Sequence, residues 1–374
     1  MRNLKSVAAS IRTNLIGNGI NRKIVVIESD DWGTIRMSSK KALQSLNELG
    51  YSVDKCPYNS NDSIESNEDL EALLNVLIAV KGFDGKPALL TANNIIANPD
   101  FDKIRASGFK EYFYESFTET LKKYPSHDKV IDLYRQGISN GLIRPQFHGR
   151  EHLNVKRWLT ALQANSKPEL DAFDLGVFSP RISSQTGYKN EYMDALDFDD
   201  INELNFQKKA LLEGLDLFET IWGFKSESFI APCYIWHRDL EPILALKGVK
   251  FIQGLINQLE PIEGFEKKYK KRYHYQGQQN KIGQRYLIRN VFFEPTTNPN
   301  FDWESDAMRR IAWAFKFKKP AIISSHRLNY IGGINQQNRE MNLRRLSNLL
   351  NRIKKRWPEV EFKSSDQLGR ILEQ

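Results

Sequence analysis

Acid–base and metal-ligand side chains occur in two distant stretches of this chain. In the first, Asp30 and Asp31 follow the apolar run Ile24–Ile27, which is typical of a buried strand. In the second, His148 and His152 lie four residues apart, and residues at that spacing share one face of a helix. One carboxylate and two imidazoles are a common ligand set for a catalytic divalent metal with an open position. The second carboxylate would then be free to act as a base.

Strands that alternate with helices must position these residues. Such alternation predicts a parallel sheet or barrel covered by helices. The predicted strands are Lys23–Ile27, Ala88–Thr91, Leu142–Phe147, Ser228–Ile230, Lys250–Gly254, Tyr286–Phe293, Ala321–Ser325 and Glu361–Lys363. The predicted helices are Ser39–Leu49, Glu68–Lys81, Glu111–Lys123, Lys129–Asn140, Val155–Ala164, Glu203–Leu215, Asp239–Lys247, Trp303–Lys316 and Arg339–Arg356.

Four of the predicted strands end in polar or metal-binding residues. The Asp30-Asp31 pair follows the first strand, His148 follows a second, the segment Tyr234–His237 a third, and His326 a fourth. In a parallel (β/α) barrel, catalytic residues gather at the carboxyl ends of the strands. The pattern therefore predicts one site built from several strand ends.

The overall composition is that of an ordinary globular protein. Of the 374 residues, 40% are hydrophobic and 27% are charged, and no apolar run approaches the ~20 residues that cross a bilayer. The basic N-terminus has too short and broken an apolar stretch for a signal peptide. Cys56 and Cys233 are the two cysteines, so reduced thiols are expected rather than a disulfide framework. These features favour a cytoplasmic enzyme.

Positive charge is concentrated in the last third of the chain. Residues 264–374 contain 23 Lys and Arg against 10 Asp and Glu, a net charge of +13, which leaves −5 for residues 1–263. The densest runs are Lys267–Arg272 and Arg352–Arg356. They indicate either attraction to a polyanion, such as an acidic glycan or an anionic membrane face, or solvated surface charge. Nucleic acid is not expected, since no nucleic-acid-binding motif accompanies the charge.

The motifs, in their order along the chain, resemble those of the polysaccharide deacetylase family, the NodB-homology carbohydrate esterases. That family removes acetyl groups from amino sugars with a divalent metal and folds as a distorted (β/α) barrel of about seven strands. The resemblance extends from about Arg22 to the C-terminus. The similar segments are Asp30-Asp31, the His-x-x-x-His pattern of His148 and His152, Ala231–Tyr234, Ile322–His326 and Val360–Leu368.

The resemblance implies a role for each matching residue. Asp30 would be the general base, and Asp31, His148 and His152 would hold the metal. His326 would be the general acid. The ion would be zinc, with nickel, cobalt and manganese as alternatives.

The same resemblance implies that a backbone amide near the Pro-Tyr segment helps to bind the oxyanion. Here that amide would belong to Tyr234 or Cys233. Trp236 and Tyr234 could also stack on a sugar ring or belong to the core. For His237, substrate contact and packing at a helix start remain open alternatives.

The chain departs from the family pattern at three places. Trp32 follows the Asp pair where the family usually has Gly, and Gly149 replaces a Ser or Thr. The Arg that orients the base in the family is missing before Pro232. Arg150 or Arg181 could replace it from another loop. We therefore expect a remote relative whose substrate need not be the usual one.

The resemblance also implies the domain organisation. Residues 1–20 would be an N-terminal extension and residues 21–374 a single barrel domain. The sequence itself predicts an insertion at about residues 167–224, a long stretch between candidate strands, and a mobile basic loop at about 260–284.

Two other functions remain open at this stage. A glycoside hydrolase would need two carboxylates about 5–10 Å apart across the scissile bond, for which Glu28, Glu151 or Glu294 could partner one of the Asp pair. A glycan-binding protein that has lost catalysis would account for the missing Arg. Metal content and hydrolysis of acetylated substrates would separate these functions from a deacetylase.

Overall fold

The structure, a computed structural model, describes residues 2–180, 190–264 and 269–374, with the side chains of the first range from residue 8 onward. Its strands are β1 (Ile24–Trp32), β2 (Leu90–Ile95), β3 (Ala97–Pro99), β4 (Tyr114–Ser116), β5 (Ile143–Gly149), β6 (Ser228–Ile230), β7 (Phe251–Gly254), β8 (Asn257–Pro261), β9 (Tyr269–Tyr273), β10 (Arg285–Ile288), β11 (Val291–Phe292), β12 (Ala321–His326) and β13 (Glu361–Lys363). Its helices are α1 (Arg2–Leu15), α2 (Lys40–Glu48), α3 (Pro57–Asn61), α4 (Asn67–Ile78), α5 (Phe101–Ala106), α6 (Phe117–Leu121), α7 (Val130–Ser139), α8 (Val155–Gln163), α9 (Lys167–Asp174), α10 (Leu204–Trp222), α11 (Glu241–Leu246), α12 (Trp303–Lys316), α13 (Gln336–Arg356) and α14 (Ser365–Glu373).

Nine of the strands form one curled sheet in which every pairing is parallel. The strand order is β10-β7-β6-β5-β2-β1-β12-β11, and β13 pairs with the first three residues of β1. Helices lie between most successive strands of this sheet, and the β8-β9 hairpin lies between β7 and β10. The predicted distorted (β/α) barrel is confirmed, with nine parallel strands in the described residues rather than about seven.

The two edges of the sheet are joined by a very short segment. Arg289 and Asn290 connect β10 at one edge to β11 at the other. The Arg289 N–H donates to the Gly254 carbonyl at 2.8 Å, and the Asn290 N–H donates to the Ile322 carbonyl at 3.2 Å. The single predicted strand Tyr286–Phe293 is therefore wrong, because its two halves belong to opposite edges.

Residues of β1 alternate between two hydrophobic clusters. Val25 and Ile27 pack in the main core with the covering helices, and Ile24 and Val26 pack in a cluster that includes Leu368 of α14. Both faces of β1 are buried, which explains its continuous apolar start. The rigid strand carries its polar end to the site.

Several segments differ from the sequence-based expectations. The predicted helix Glu111–Lys123 is wrong, because its residues form β4 and α6. The expected insertion at residues 167–224 contains α9 and α10, with residues 181–189 outside the described ones. In the expected loop at residues 260–284, β9 pairs antiparallel with β8.

Helix α1 of the expected N-terminal extension packs against α12. The buried Asn14 Oδ1 accepts a hydrogen bond from Asn290 Nδ2 at 2.8 Å, so the extension contacts the barrel at the segment that joins its edges. No helix of the described residues is long and apolar enough to cross a membrane.

Candidate metal centre

The carboxyl ends of β1, β5 and β12 surround a cavity of about 310 Å³. Asp30 and Asp31 enter it from β1, His148 from β5 and His326 from β12. His152 enters from the segment between β5 and α8. The structure therefore brings these five predicted site residues to one cavity, at the end of the barrel where such sites form.

The three predicted metal ligands converge on one point. Asp31 Oδ1 lies 3.3 Å from His148 Nε2 and 3.4 Å from His152 Nε2, and all three side chains are buried. Atoms that bind a tetrahedral ion at about 2.0–2.1 Å are separated from one another by about 3.3–3.4 Å. The two distances from Asp31 match this separation, and the three ligand atoms all lie within 4.8 Å of one another, as the ligands of one ion would.

The protonation of these residues also suits a metal. His148 Nδ1 donates to the Ile230 carbonyl at 2.9 Å, which leaves Nε2 with its lone pair directed at the site. Burial lowers the pKa of His152 to about 4 and keeps its ring neutral. Burial opposes ionisation of Asp31, but the neighbouring imidazoles outweigh it and hold its pKa below its usual range. Asp31 is therefore ionised and the His152 ring is neutral near neutral pH.

Backbone geometry explains how adjacent aspartates reach the same cavity. Successive residues of a regular strand point to opposite faces of the sheet. Asp31 has a positive φ of 73°, and the register between β1 and β2 shifts between Ser29 and Trp32. This irregularity turns Asp31 toward the side that Asp30 already faces.

The two histidines do not share a helix face, so that expectation is wrong. His148 is in β5, and helix α8 begins only at Val155. Gly149 has a φ of 136°, and the chain then folds back so that the two imidazole centroids are 5.1 Å apart. A Cβ atom at Gly149 would lie 3.3 Å from the Glu151 carbonyl oxygen. A tight turn, rather than a helix, brings the rings together.

Asp30 is held by an arginine from the segment that joins the sheet edges. Arg289 Nη2 donates to Asp30 Oδ1 at 2.6 Å, and Nη1 donates to Oδ2 at 2.7 Å. Asn93 Nδ2 donates to Oδ1 at 2.8 Å. Burial opposes ionisation of Asp30, but Arg289 outweighs it and lowers the pKa to about 2. Arg289 also binds the buried Glu28, whose Oε2 accepts from Nε at 2.5 Å.

His326 lies beside Asp30 and is paired with a carboxylate on its other side. Its Nδ1 donates to Glu294 Oε1 at 2.6 Å, and its Nε2 is 3.9 Å from Asp30 Oδ2. Burial favours the neutral ring, but Glu294 and the Asp pair outweigh it and raise the pKa to about 10. The imidazolium form is therefore favoured near neutral pH, which suits a proton donor.

The turn after β6 forms another wall of the cavity. Cys233 and Tyr234 both have positive φ, at 56° and 59°. The Tyr234 N–H donates to the Ala231 carbonyl at 3.1 Å within this turn. The Tyr234 hydroxyl accepts from Arg289 Nη1 at 3.0 Å, which ties this wall to the arginine that holds Asp30.

The other candidate substrate contacts do not line the cavity. Trp236 is 2% exposed and belongs to the main core, and its Nε1 donates to Glu241. His237 Nδ1 accepts from the Asp239 N–H at the start of a short 3₁₀ turn. We therefore propose neither Trp236 nor His237 as a sugar contact.

Of the two arginines named as replacements for the missing Arg, Arg150 does not lie beside Asp30. Arg150 is paired with Glu151, at 2.5 Å from Nε to Oε2, and with Glu213. Arg181 lies outside the described residues. Arg289 occupies the position beside Asp30 instead.

Five residues around the cavity were not assigned a role in a deacetylase site from the sequence. Asn93 lies within β2 and Glu294 lies two residues after β11, and such positions near strand ends are a usable signal. Arg289 interrupts an apolar run, which is a weaker signal. Arg36 and Tyr58 line the cavity from segments without a motif, so their place depends on tertiary contacts alone.

Comparison with known proteins gives a likeness of fold. No family model and no curated protein sequence matches this chain. A polysaccharide deacetylase structure from Mycobacterium smegmatis, described as putative, is 11% identical, with 96% of this chain and 93% of that chain covered and a TM-score of 0.41. A probable polysaccharide deacetylase from Pseudomonas aeruginosa PAO1 is 9% identical, with coverage of 94% and 91% and a TM-score of 0.43.

A 4-alpha-glucanotransferase from Thermococcus litoralis is also 9% identical, with a TM-score of 0.44. The alignment covers 92% of this chain, but this chain spans only 40% of that longer protein. The solved structures with a similar fold thus include polysaccharide deacetylases, at low identity and low TM-score.

Proposed function

We propose that this protein is a metal-dependent hydrolase that removes acetyl or other acyl groups from an oligo- or polysaccharide. One observation carries the proposal. A metal-ligand triad of Asp31, His148 and His152 lies in the same cavity as a carboxylate, Asp30, and an imidazole, His326. A ligand triad with an acid and a base beside it is the arrangement that metal-assisted hydrolysis requires.

The triad would hold a divalent ion, with zinc as the first choice and nickel, cobalt or manganese as alternatives. When bound, the ion supplies Lewis-acid activation of a water molecule and of the acyl carbonyl. The triad provides three ligands from the protein, so that further positions stay open for water and substrate.

Asp30 acts as the general base and takes the proton of the attacking water. Arg289 and Asn93 hold its two oxygens in a fixed orientation, which is the role that the missing family Arg would play. The low pKa of Asp30 keeps it ionised at all physiological pH values. A fixed, ionised carboxylate needs no rearrangement before it accepts the proton.

His326 acts as the general acid and protonates the departing nitrogen or oxygen of the sugar. Glu294 keeps its ring charged and fixes its orientation through Nδ1, so that Nε2 carries the proton that is donated. A backbone amide of Tyr234 or Cys233 is the candidate donor to the oxyanion, because both residues line the cavity. The substrate is cleaved at an amide or an ester bond.

A glycoside hydrolase is less well supported. Its general acid is a carboxyl group with a raised pKa. Among the described residues, the carboxylates that line the cavity are Asp30 and Asp31, and both have a lowered pKa. Neither would carry a proton at neutral pH.

A catalytically impaired glycan-binding protein was suggested by the missing Arg. Arg289 removes the main reason for that alternative, because it makes two hydrogen bonds to Asp30 from another strand end. The polyanionic partner suggested by the charge of residues 264–374 remains a separate prediction. Lys267 and Lys268 of the first basic run lie outside the described residues.

Metal analysis and turnover together test the proposed function. We expect about one equivalent of divalent metal in the purified protein, its loss in His148→Ala, and release of acetate from acetylated glycans. Asp30→Asn should keep the metal and lose turnover by roughly 100-fold or more. A protein that binds no metal, or an Asp30→Asn variant with normal turnover, would refute the proposal.

A further inference from the structure

Arg36 is a buried cation that faces the cavity and has no carboxylate partner among the described residues. Six arginines of the described residues are buried, and five of them bind one or more carboxylates. The six are Arg36, Arg150, Arg157, Arg289, Arg327 and Arg339. Arg36 is 5% exposed, and its hydrogen bond within the described residues runs from Nε to Asn59 Oδ1 at 3.2 Å. Its terminal nitrogens have no carboxylate within ion-pair distance there.

An unpaired buried charge is costly, and proteins keep one mainly where a ligand supplies its partner. The acids around the cavity do not fill this need. Asp30 is bound by Arg289, Glu294 is bound by His326, and Asp31 faces the two metal-ligand imidazoles. Each of these three carboxylates thus has another partner, and none of them is paired with Arg36.

A second polar group lies beside Arg36. Tyr58 lines the same cavity, and the guanidinium carbon of Arg36 is 5.9 Å from the centroid of the Tyr58 ring. The ring of Tyr58 also contacts His326 edge to face, with centroids 5.6 Å apart. The Tyr58 hydroxyl has no hydrogen-bond partner among the described residues. Arg36 and Tyr58 therefore offer hydrogen-bond donors next to the proposed acid.

We propose that Arg36 and Tyr58 bind a carboxylate group of the acylated sugar, so that the substrate class is an acidic sugar rather than a neutral one. This inference rests on the proposed function, because the carboxylate belongs to the molecule that the site deacylates. The terminal nitrogens of a guanidinium form a planar fork that matches a carboxylate. A phosphate dianion fits less well, because the other cation of the wall, His326, is already bound by Glu294.

Matched substrates test this inference. The probes are N-acetylated amino sugars of gluco, galacto and manno configuration in three forms. One form is neutral, one carries a carboxylate at C6 or in a 3-O-lactyl ether, and one carries a 6-phosphate. Deacetylation by the metal-loaded protein is measured as kcat/KM, and binding to Asp30→Asn is measured by calorimetry, so that affinity is read without turnover.

The carboxylated probes should bind and react at least 10-fold better than the neutral ones. Arg36→Gln should lower the ratio of kcat/KM for the acids to kcat/KM for the neutral probes by roughly 10- to 100-fold, and the corresponding ratio of affinities by a similar factor. Arg36→Lys should keep part of the preference. Arg135→Gln, an exposed arginine of α7, is the control and should change neither. A general change at the metal site should alter kcat/KM for acid and neutral probes by the same factor. The ratio of the two kcat/KM values is therefore unaffected by such a change.

The two proposals fail in different ways. Equal kcat/KM and affinity for acid and neutral probes, or a preference unchanged in Arg36→Gln, overturns the carboxylate subsite and leaves the hydrolase proposal standing. Arg36-dependent binding of the acids without hydrolysis of any probe overturns the hydrolase and supports the subsite. A larger preference for the 6-phosphate than for the carboxylates overturns the assignment to a carboxylate.

Discussion

Arg289 determines the state of the base more than any other residue of the site. Its guanidinium binds both oxygens of Asp30 and one oxygen of Glu28, and all three side chains are buried. Two acids share one cation, and burial raises the pKa of Glu28 while Arg289 keeps Asp30 ionised. Arg289 thus stabilises the ionised form of Asp30, the carboxylate that faces the cavity.

Replacing Arg289 by Lys should separate positioning of the base from simple stability. Lysine keeps the charge but cannot bind both oxygens of Asp30 in one plane, so we expect kcat to fall roughly 100-fold. The unfolding free energy should fall by roughly 1–3 kcal/mol. The measurements are steady-state kinetics and thermal unfolding.

Arg150→Lys is the matched control for this variant. Arg150 is also buried and also binds two acids, but it lies off the cavity. It should lose similar stability with little change in kcat. Equal kinetic losses in both variants would show that Arg289 has only a structural role.

Glu294 should set the alkaline limit of activity through His326. The pKa of His326 is raised to about 10, so its proton is present at neutral pH and is lost as pH rises through that value. In Glu294→Gln the ring loses its main anionic partner, and we expect the alkaline limb of the kcat profile to move toward neutral pH. Loss of activity at every pH without a shifted limb would contradict this assignment. An NMR titration of the His326 ring provides a second readout.

At the scale of the elements, the site depends on interrupted strands. β1 ends with a positive φ at Asp31, and β5 ends with Gly149 at a φ of 136°. In regular strands Asp30 and Asp31 would point to opposite faces of the sheet, and His148 and His152 would share one face but lie about 13 Å apart. Strained backbone at strand ends is thus what assembles the ligand triad.

Gly149→Ala tests this dependence on the turn. A Cβ there lies 3.3 Å from the Glu151 carbonyl oxygen and requires an unfavourable φ, so the His152 segment must shift. We expect metal affinity to fall at least 10-fold, measured by competition with a chelating dye. Gly141, whose φ is also positive, provides the control. A Cβ atom there meets nothing within 4 Å, so Gly141→Ala should lower the unfolding free energy by roughly 1–2 kcal/mol and leave metal affinity unchanged.

The sequence predicted those elements whose signals are local. Apolar runs with polar ends marked β1, β5 and β12, and the helix Trp303–Lys316 was predicted with its observed bounds. From the order of the motifs along the chain, Asp31, His148 and His152 were predicted to form one metal site, because the strand ends of a parallel barrel meet at one rim.

The errors have a common physical cause. The run Tyr286–Phe293 has strand-forming residues on both sides of Arg289 and Asn290, but which strands pair with its two halves is decided by long-range contacts. Arg289 was missed for the same reason, since its partners Glu28 and Asp30 are more than 250 residues away. Strand propensity does not show that a chain crosses between the two edges of a sheet.

At the scale of the whole molecule, distant segments meet to close the barrel. β1 pairs with β2, β12 and β13, and Arg289 and Asn290 join the two edge strands. We propose that residues 21–374 form one folding unit, with α1 docked on it through Asn14 and α12. The ligand triad then links two central strands of that unit.

Metal binding should therefore stabilise the entire fold and not only the site. Asp31 is in β1, and His148 and His152 flank the end of β5, so unfolding of the barrel destroys the triad. An ion present at about 1,000 times its Kd would add about 4 kcal/mol to the unfolding free energy. Thermal unfolding of metal-stripped protein should shift upward by several degrees on addition of zinc. His152→Ala should abolish that shift. His237→Ala, which alters a histidine away from the cavity, should preserve it. A shift that survives in His152→Ala would place the stabilising ion elsewhere and remove the structural basis of the proposed hydrolase.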